Sequence, residues 1–263
     1  MTGSPQPAAY TDIRYGIGAG VATITIDRPG RLNAITGRTL QEIEAALLAA
    51  QHDPAVGVIV ITGAGERAFS AGGDLEWEAD GGLENVDYQL GRRLVDCPKP
   101  VIARVVGYAI GAGNHIAYFC DFTIASEDAV FGQNGPKVAA PPGGYTSSHL
   151  VSIVGHKRAR EMEMLCRRYS ARQALEWGLV NAVVPREQLD ATVAQWAREL
   201  LAMSPTALAA LKASFRQAME PYISLTLSQV IGQVRPDFFS SGEQQEGVAA
   251  FLEKRPADFS RWR

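Results

Sequence analysis

Residues 100–126, PVIARVVGYAIGAGNHIAYFCDFTIAS, decide the fold of this chain. They predict a buried strand at 101–106, a glycine-rich turn at 107–113, an apolar helix at 115–120 and then a further strand. Glycine permits the tight turn because it carries no Cβ. A turn that opens a helix leaves backbone N–H groups free, and such groups bind a phosphate or stabilise an oxyanion. Glycine spacing alone is equally typical of an ordinary tight turn in a core.

A second buried strand, VIVITG at residues 58–63, leads into AFSAGGDL at 68–75. Together with GYAIGAGN at 107–114, this segment resembles the paired motifs of the crotonase (enoyl-CoA hydratase/isomerase) superfamily. The resemblance implies an α/β fold, a ClpP-like spiral of ββα units with a C-terminal helical trimerisation domain. It also implies an oxyanion hole for a thioester oxygen, built from the backbone N–H groups of Gly73 and Ala112.

Strand and helix signals agree with an α/β class. A strand at 21–27, a helix from residue 36 or 37 and a strand at 58–62 predict a right-handed βαβ unit with a parallel pair of strands. From residue 146 onward the pattern is nearly all helical. We therefore expect a flexible tail at 1–10, a spiral core at 11–200 and a helical domain at 201–263. No G-x-G-x-x-G motif with a matching acidic residue follows a strand, so dinucleotide binding is not expected.

Composition narrows the function classes. The 263 residues are 46% hydrophobic and 20% charged, which is ordinary for a globular protein. A net charge of −3 favours neither nucleic acid nor an anionic membrane as a partner. The three cysteines show no metal-ligand spacing, so we predict no metal site and a reducing, cytoplasmic setting. The first ten residues lack the features of a signal peptide, and no apolar run is long enough to span a membrane.

Two irregular segments flank the expected acyl pocket. Residues 74–86 contain an acidic run and two glycines, which predicts a solvated, mobile loop or, as an alternative, a lid over the pocket with Trp77 as a wall. Residues 129–145 form a long connection rich in Gly and Pro with apolar flanks. Because long irregular connections are often functional, we interpret this one as the floor of the pocket.

Five further segments resemble a particular group of crotonases, the 1,4-dihydroxy-2-naphthoyl-CoA synthases and 2-ketocyclohexanecarboxyl-CoA hydrolases. The segments are FGQNGPK at 131–137, KRARE at 157–161, ALEWGLVN at 174–181, SPTAL at 204–208 and FLEKR at 251–255. This resemblance implies C–C bond cleavage or formation on a cyclic or β-keto acyl-CoA, by a ring-opening hydrolase or a Dieckmann/Claisen-type reaction. Both reactions pass through a thioester enolate held in the oxyanion hole.

The sequence departs from the family at four acid–base positions. His115 and Gly135 stand where family hydratases carry two glutamates, so ordinary hydration is disfavoured. Pro142 stands where the ring-closing and ring-opening relatives carry an aspartate, and Phe239 is the nearest match to the tyrosine of the ring-closing enzymes. Three alternatives therefore stay open: an enoyl-CoA hydratase or isomerase with a non-standard acid or base, a β-diketone hydrolase that does not use CoA, and a catalytically silent CoA-binding protein.

His115 is the leading candidate for proton transfer. It follows Ala112 by three residues, and a histidine near its unperturbed pKa is a competent acid or base at neutral pH. A core histidine bonded to a backbone carbonyl is the alternative. His149 is a second candidate, and Asn134 and Tyr145 are candidates for orienting a substrate carbonyl or a water molecule.

The resemblance also implies where coenzyme A binds as part of the substrate thioester, with no tightly bound cofactor. The backbone around Ala34, Ala71 and Gly73 would hold the adenine and pantetheine, and Arg31 would meet a phosphate. Phe251 and Lys254 match positions that reach the nucleotide from the next subunit. The expected assembly is accordingly a homo-oligomer, either a trimer or a dimer of trimers.

Overall fold

A computed structural model describes residues 10–85, 89–140, 144–219 and 235–262 of the chain. It contains two β-sheets surrounded by helices. The strands are β1 (Ile13–Gly18), β2 (Val21–Ile26), β3 (Val58–Gly63), β4 (Ala68–Ser70), β5 (Val101–Val105), β6 (Tyr108–Ile110), β7 (Phe122–Ser126), β8 (Val130–Gly132), β9 (Arg168–Ser170) and β10 (Ala182–Val184). The helices are α1 (Gly37–His52), α2 (Leu75–Ala79), α3 (Leu90–Asp96), α4 (Ala112–Phe119), α5 (Gly144–Val154), α6 (His156–Leu165), α7 (Ala171–Glu176), α8 (Arg186–Leu201), α9 (Pro205–Met219) and α10 (Glu243–Leu252).

The larger sheet has the order β1-β2-β3-β5-β7-β10 and is parallel except for the β1–β2 hairpin. Every residue of β3 is buried, as expected for a strand covered on both faces. The predicted βαβ unit is confirmed, because β2 and β3 pair in parallel on either side of α1. Helix α1 begins at residue 37 because the Thr36 side chain accepts a hydrogen bond from the Thr39 backbone in a capping box.

The smaller sheet, β4-β6-β8-β9, brings the two glycine-rich motifs together. Strand β4 pairs in parallel with β6, so the segments that follow these two strands leave the sheet at the same edge. The fully buried Asn33 side chain holds the loop that precedes α1 against this sheet, donating to the carbonyls of Ala64 (2.9 Å) and Ala68 (2.8 Å). The loop before α1 and the loops that follow β4 and β6 are thereby held next to one another.

Residues 74–86 differ from the predicted irregular loop. Asp74 caps α2 by accepting a hydrogen bond from the Trp77 backbone (3.3 Å), and a short 3-10 turn, Gly82–Asn85, follows. The Trp77 ring packs against Gly37 and Gly82 and is no wall of the pocket described below. Residue 86 lies outside the described residues. Packing against α1 therefore orders a segment whose composition favours a loop.

The last helix returns to the core. Gln244 of α10 is buried and donates from its side chain to the Glu78 carbonyl of α2 at 3.4 Å. Gly247 of the same helix packs against the backbone of Val138. The domain boundary at residue 200 stays a prediction, as does the tail at 1–10, of which residues 1–9 lie outside the described residues. None of the helices in the described part of the chain is long and apolar enough to cross a membrane.

Candidate active site

The two glycine-rich loops are in direct contact. A Cβ on Gly113 would lie 2.6 Å from the Ser70 carbonyl oxygen, and a Cβ on Gly72 would lie 2.9 Å from the Ile110 carbonyl oxygen. Gly72 also has a backbone φ of +104°, a value that residues with a side chain rarely adopt. Only glycines allow the loops to approach this closely. The positions of the glycines in the two sequence motifs therefore have a steric cause.

Two backbone N–H groups are left free where these loops meet. Gly72 and Asp74 form backbone hydrogen bonds with Ile35, so the intervening N–H of Gly73 points away from that partner. Ala112 is the first residue of α4, where an N–H has no acceptor within the helix. Within the described residues neither N–H donates to a protein acceptor. The predicted start of this helix at 115 was three residues late, because Ala112 and Gly113 are buried and helical.

Both groups face a cavity of about 480 Å³. Its walls are largely apolar and come from the loops, from α2, from α6 and from α10. The residues that line it include Arg31, Ala34, Ala71, Gly73, Asp74, Glu76, Glu78, Ala112, His115, Asn134, Gly135, Glu163 and Phe251. Two free N–H donors at the end of an apolar cavity are suited to hold a carbonyl oxygen that becomes negatively charged.

Glu78 is a pocket residue that the sequence analysis missed. The residue is only 5% exposed, and burial, with a smaller contribution from Asp74, raises its pKa from 4.5 to about 7. The acidic run had suggested a solvated loop. One signal was available: Asp74 is a good N-cap, and in the helix that it starts Glu78 lies one turn further on the same face.

His115 lies in the first turn of α4 and lines the cavity. Burial lowers its pKa from 6.5 to about 4, and an interaction with the Gln133 side chain offsets this only in part. Its Nε2 is buried and has no hydrogen-bond partner among the described residues. His115 therefore does not have the ordinary pKa expected from the sequence, and it is neutral at pH 7.

The other candidates for catalysis are divided between the pocket and the core. Asn134 lines the pocket, where its Oδ1 accepts a hydrogen bond from Arg168. Tyr145 and His149 do not line it. Both rings pack against Phe119, with the His149 ring stacked at 4.5 Å, and His149 Nε2 lies 3.1 Å from the Tyr118 carbonyl oxygen. Tyr145 belongs to the buried core, whereas the half-buried His149 lines a second, smaller cavity.

Most of the residues predicted to bind coenzyme A do meet at the pocket. Arg31, Ala34, Ala71 and Gly73 all line it. Phe251 lines the pocket of its own chain, because α10 folds back over α2, although the resemblance had it reach the nucleotide from the next subunit. These roles stay predictions.

Three predicted positions lie elsewhere. Lys254 follows α10 and is not among the residues lining the pocket. Phe239 packs against Phe238 in a small apolar cluster with Ala139. Pro142 lies outside the described residues. Phe239 therefore supplies no group to the pocket of its own chain.

The chain is similar to known proteins over nearly its whole length. A model of the enoyl-CoA hydratase/isomerase family matches residues 16–261. The structure of an enoyl-CoA hydratase from Mycobacterium avium subsp. paratuberculosis K-10 is 33% identical, with a TM-score of 0.85, and the match covers 96% of this chain and 100% of that one. An enoyl-CoA hydratase/isomerase from Xanthobacter autotrophicus Py2 is 32% identical, with a TM-score of 0.74 and coverage of 94% and 98%.

A third similar structure is a methylmalonyl-CoA decarboxylase in complex with 2-nitronate-propionyl-CoA. It is 26% identical, with a TM-score of 0.83, and the match covers 95% of this chain and 99% of that one. The family match covers nearly the whole chain, and the paired glycine-rich loops place two free N–H groups at one cavity. The chain belongs to the enoyl-CoA hydratase/isomerase family, which is also called the crotonase superfamily.

Proposed function

We propose that this protein stabilises the enolate of an acyl-CoA thioester while a carbon–carbon bond is broken or formed in a cyclic or β-keto acyl group. The observation that carries the proposal is the pair of free N–H groups of Gly73 and Ala112 facing one apolar cavity. Such donors stabilise negative charge far better in a site that excludes water than in water.

Two other positions that line the cavity, 115 and 135, favour enolate chemistry over simple addition of water. His115 and Gly135 line the cavity where the family's hydratases carry two carboxylates. A neutral histidine and a glycine do not reproduce that pair. The similar decarboxylase supports the proposal, because loss of CO₂ from its substrate is also the breaking of a C–C bond.

In a ring-opening reaction, water adds to the β-keto carbon and the bond to the α-carbon breaks. The electron pair of that bond passes into the thioester, whose oxygen receives hydrogen bonds from the two N–H groups. A proton then reaches the α-carbon. The net change is addition of one water molecule, which leaves a carboxylic acid on the former ketone carbon.

An assay in ¹⁸O-labelled water tests this reaction. The purified protein is incubated with 2-ketocyclohexanecarboxyl-CoA, linear β-keto acyl-CoAs and crotonyl-CoA, and the products are analysed by mass spectrometry. We expect ¹⁸O in a ring-opened diacid mono-CoA or in the acid released from a linear substrate. Binding of these esters without any turnover would instead support a silent CoA-binding protein, and failure to bind any of them would favour a β-diketone substrate.

Hydration or isomerisation of a double bond is the second candidate. It is favoured by the buried carboxyl of Glu78, which supplies the carboxyl group that positions 115 and 135 lack. The two similar structures named above as an enoyl-CoA hydratase and a hydratase/isomerase also favour it. In the same assay, label found only in a hydroxyacyl-CoA would establish this candidate.

We also propose that the protein acts as a homo-oligomer, a trimer or a dimer of trimers. Helix α9 exposes two large apolar side chains, Leu211 and Phe215, the second to 68%. Apolar side chains of this size on one helix are typical of an association surface. Light scattering coupled to size exclusion chromatography measures the mass, and a monomer would refute the proposal.

A further inference from the structure

Glu78 is the most buried acidic residue that lines the pocket, and within the described residues no cation pairs with its carboxyl group. Asp74 pairs with Arg28 at 3.0 Å and Glu76 pairs with Arg31 at 2.9 Å. Glu163 accepts a hydrogen bond from the Ser147 hydroxyl at 3.0 Å. The Oε2 atom of Glu78 is buried and has no partner among the described residues. A buried oxygen without a partner is costly, and such exceptions in folded proteins often have a functional reason.

The carboxyl group is held against the oxyanion hole. Its Oε1 lies 1.7 Å from the position that a Cβ on Gly73 would occupy. The oxygen therefore touches the Cα of the residue whose N–H is one of the two free donors. A thioester oxygen bound to that N–H would bring the adjacent α-carbon of the acyl group close to the Glu78 carboxyl.

Two hydrogen bonds fix the Glu78 backbone. Its N–H donates to the Asp74 carbonyl at 2.8 Å within α2, and its own carbonyl accepts from the buried Gln244 side chain of α10 at 3.4 Å. Helix α10 thus packs against α2 at this residue. A side chain that acts in proton transfer needs such a fixed position.

The surroundings allow both protonation states at neutral pH. The charged and titratable groups of the pocket near Glu78 are the Asp74–Arg28 pair, the Glu76–Arg31 pair, the neutral His115 and Glu163. Burial dominates and raises the Glu78 pKa to about 7, where a general acid or base works best at physiological pH. His115, with a pKa near 4, is the weaker base.

We propose that Glu78 is the catalytic residue that transfers the proton to and from the α-carbon of the acyl group. This inference rests on the proposed enolate function and names the acid–base group that serves it. In the cleavage direction the Glu78 carboxyl donates its proton to the α-carbon, the enolate's electron pair forms the new C–H bond, and the carboxylate regains a proton from water. In reverse, the carboxylate removes the α-proton and the electron pair moves to the thioester oxygen.

Exchange of the α-protons of butyryl-CoA with D₂O tests this step without knowledge of the natural acyl group. The mass of recovered butyryl-CoA is followed for the wild type, for Glu78→Gln and for the control Asp80→Asn, an exposed residue of the same segment that does not line the pocket. We expect exchange by the wild type and by Asp80→Asn. We expect Glu78→Gln to lose at least about 10²-fold, the usual contribution of a general base.

Calorimetric binding of butyryl-CoA and circular dichroism check that Glu78→Gln still folds and binds. The wild-type rate should rise with pH around a midpoint near 7, and any residual rate of the variant should lack that midpoint. Exchange by a folded Glu78→Gln at the wild-type rate overturns the role of Glu78 and leaves the proposed function intact. A wild type that neither exchanges butyryl-CoA nor converts any ester of the panel overturns both.

Discussion

The two faces of helix α2 carry the same residue type in opposite environments. Glu76 is 60% exposed on its side chain and pairs with Arg31, whereas Glu78, two residues later, is 5% exposed and lies against Gly73. Burial raises the pKa of Glu78 to about 7. The comparison shows that position in the fold, and not residue type, makes one carboxyl an ordinary surface charge and the other a candidate acid–base group.

The largest expected effect comes from moving Glu78 without removing it. In Gly73→Ala the new Cβ would lie 1.7 Å from the Glu78 Oε1, so the carboxyl must shift while the N–H at residue 73 is kept. A displacement of about 1 Å at a reacting group costs on the order of 10²-fold in rate, and we expect turnover of the best ester in the panel to fall by that factor.

Gly16→Ala is the matched control for this change, because a Cβ on Gly16, in β1, meets nothing within 4 Å. It should leave turnover unchanged. Equal rates for Gly73→Ala and wild type would show that the contact between Glu78 and Gly73 is irrelevant to the reaction.

The second effect is on stability. Because the Glu78 pKa is raised from 4.5 to about 7 on folding, the native state binds more protons than the unfolded state between those pH values. Stability is therefore lost as pH rises through this window, by at most roughly 3 kcal/mol for a shift of this size. Urea unfolding at pH 5 and pH 8 should show this loss in the wild type and a smaller one in Glu78→Gln. The same pH dependence in both proteins would contradict the buried, unpaired carboxyl.

A smaller effect is expected for His115, which shares the pocket with Glu78 but is neutral. His115→Gln keeps a polar group of similar size, so turnover should fall by less than about 10²-fold, and the pH midpoint near 7 should remain. Steady-state kinetics from pH 5 to 9 measure both quantities. A greater loss together with a vanished midpoint would return His115 to the role that the sequence suggested.

The smallest effect is expected for Arg31, the partner of Glu76 on the exposed face of α2. Arg31 is 58% exposed, pairs with Glu76 and lines the pocket; its contact with a phosphate of coenzyme A is a prediction from the sequence. An exposed ion pair contributes about 0.2–1 kcal/mol, so Arg31→Ala should raise KM by at most about fivefold with kcat unchanged. Arg14→Ala, an exposed arginine of β1 paired with Asp27, is the control and should change neither constant. A fall in kcat alone would refute this role of Arg31.

Local patterns were sufficient for most of the fold. The start of α1 follows from the Thr36 cap, and residues 144–219 are mainly helical, as the pattern from residue 146 onward predicts, since caps and apolar spacing act within a few residues. The segment at 74–86 shows where local patterns were insufficient. Its helix is ordered by Trp77 packing on Gly37, across a sequence distance of 40 residues, and by α10 near the other end of the chain.

The same limit applies to the site. The sequence by itself determined the family and the two glycine-rich loops that meet at the pocket, because their glycines are required by close backbone contact and stand in short, recognisable motifs. Only the tertiary structure decided which side chains reach the pocket. His149 and Tyr145 pack against Phe119 away from the pocket, and Glu78 enters it, because burial and pKa depend on neighbours that are distant in the chain.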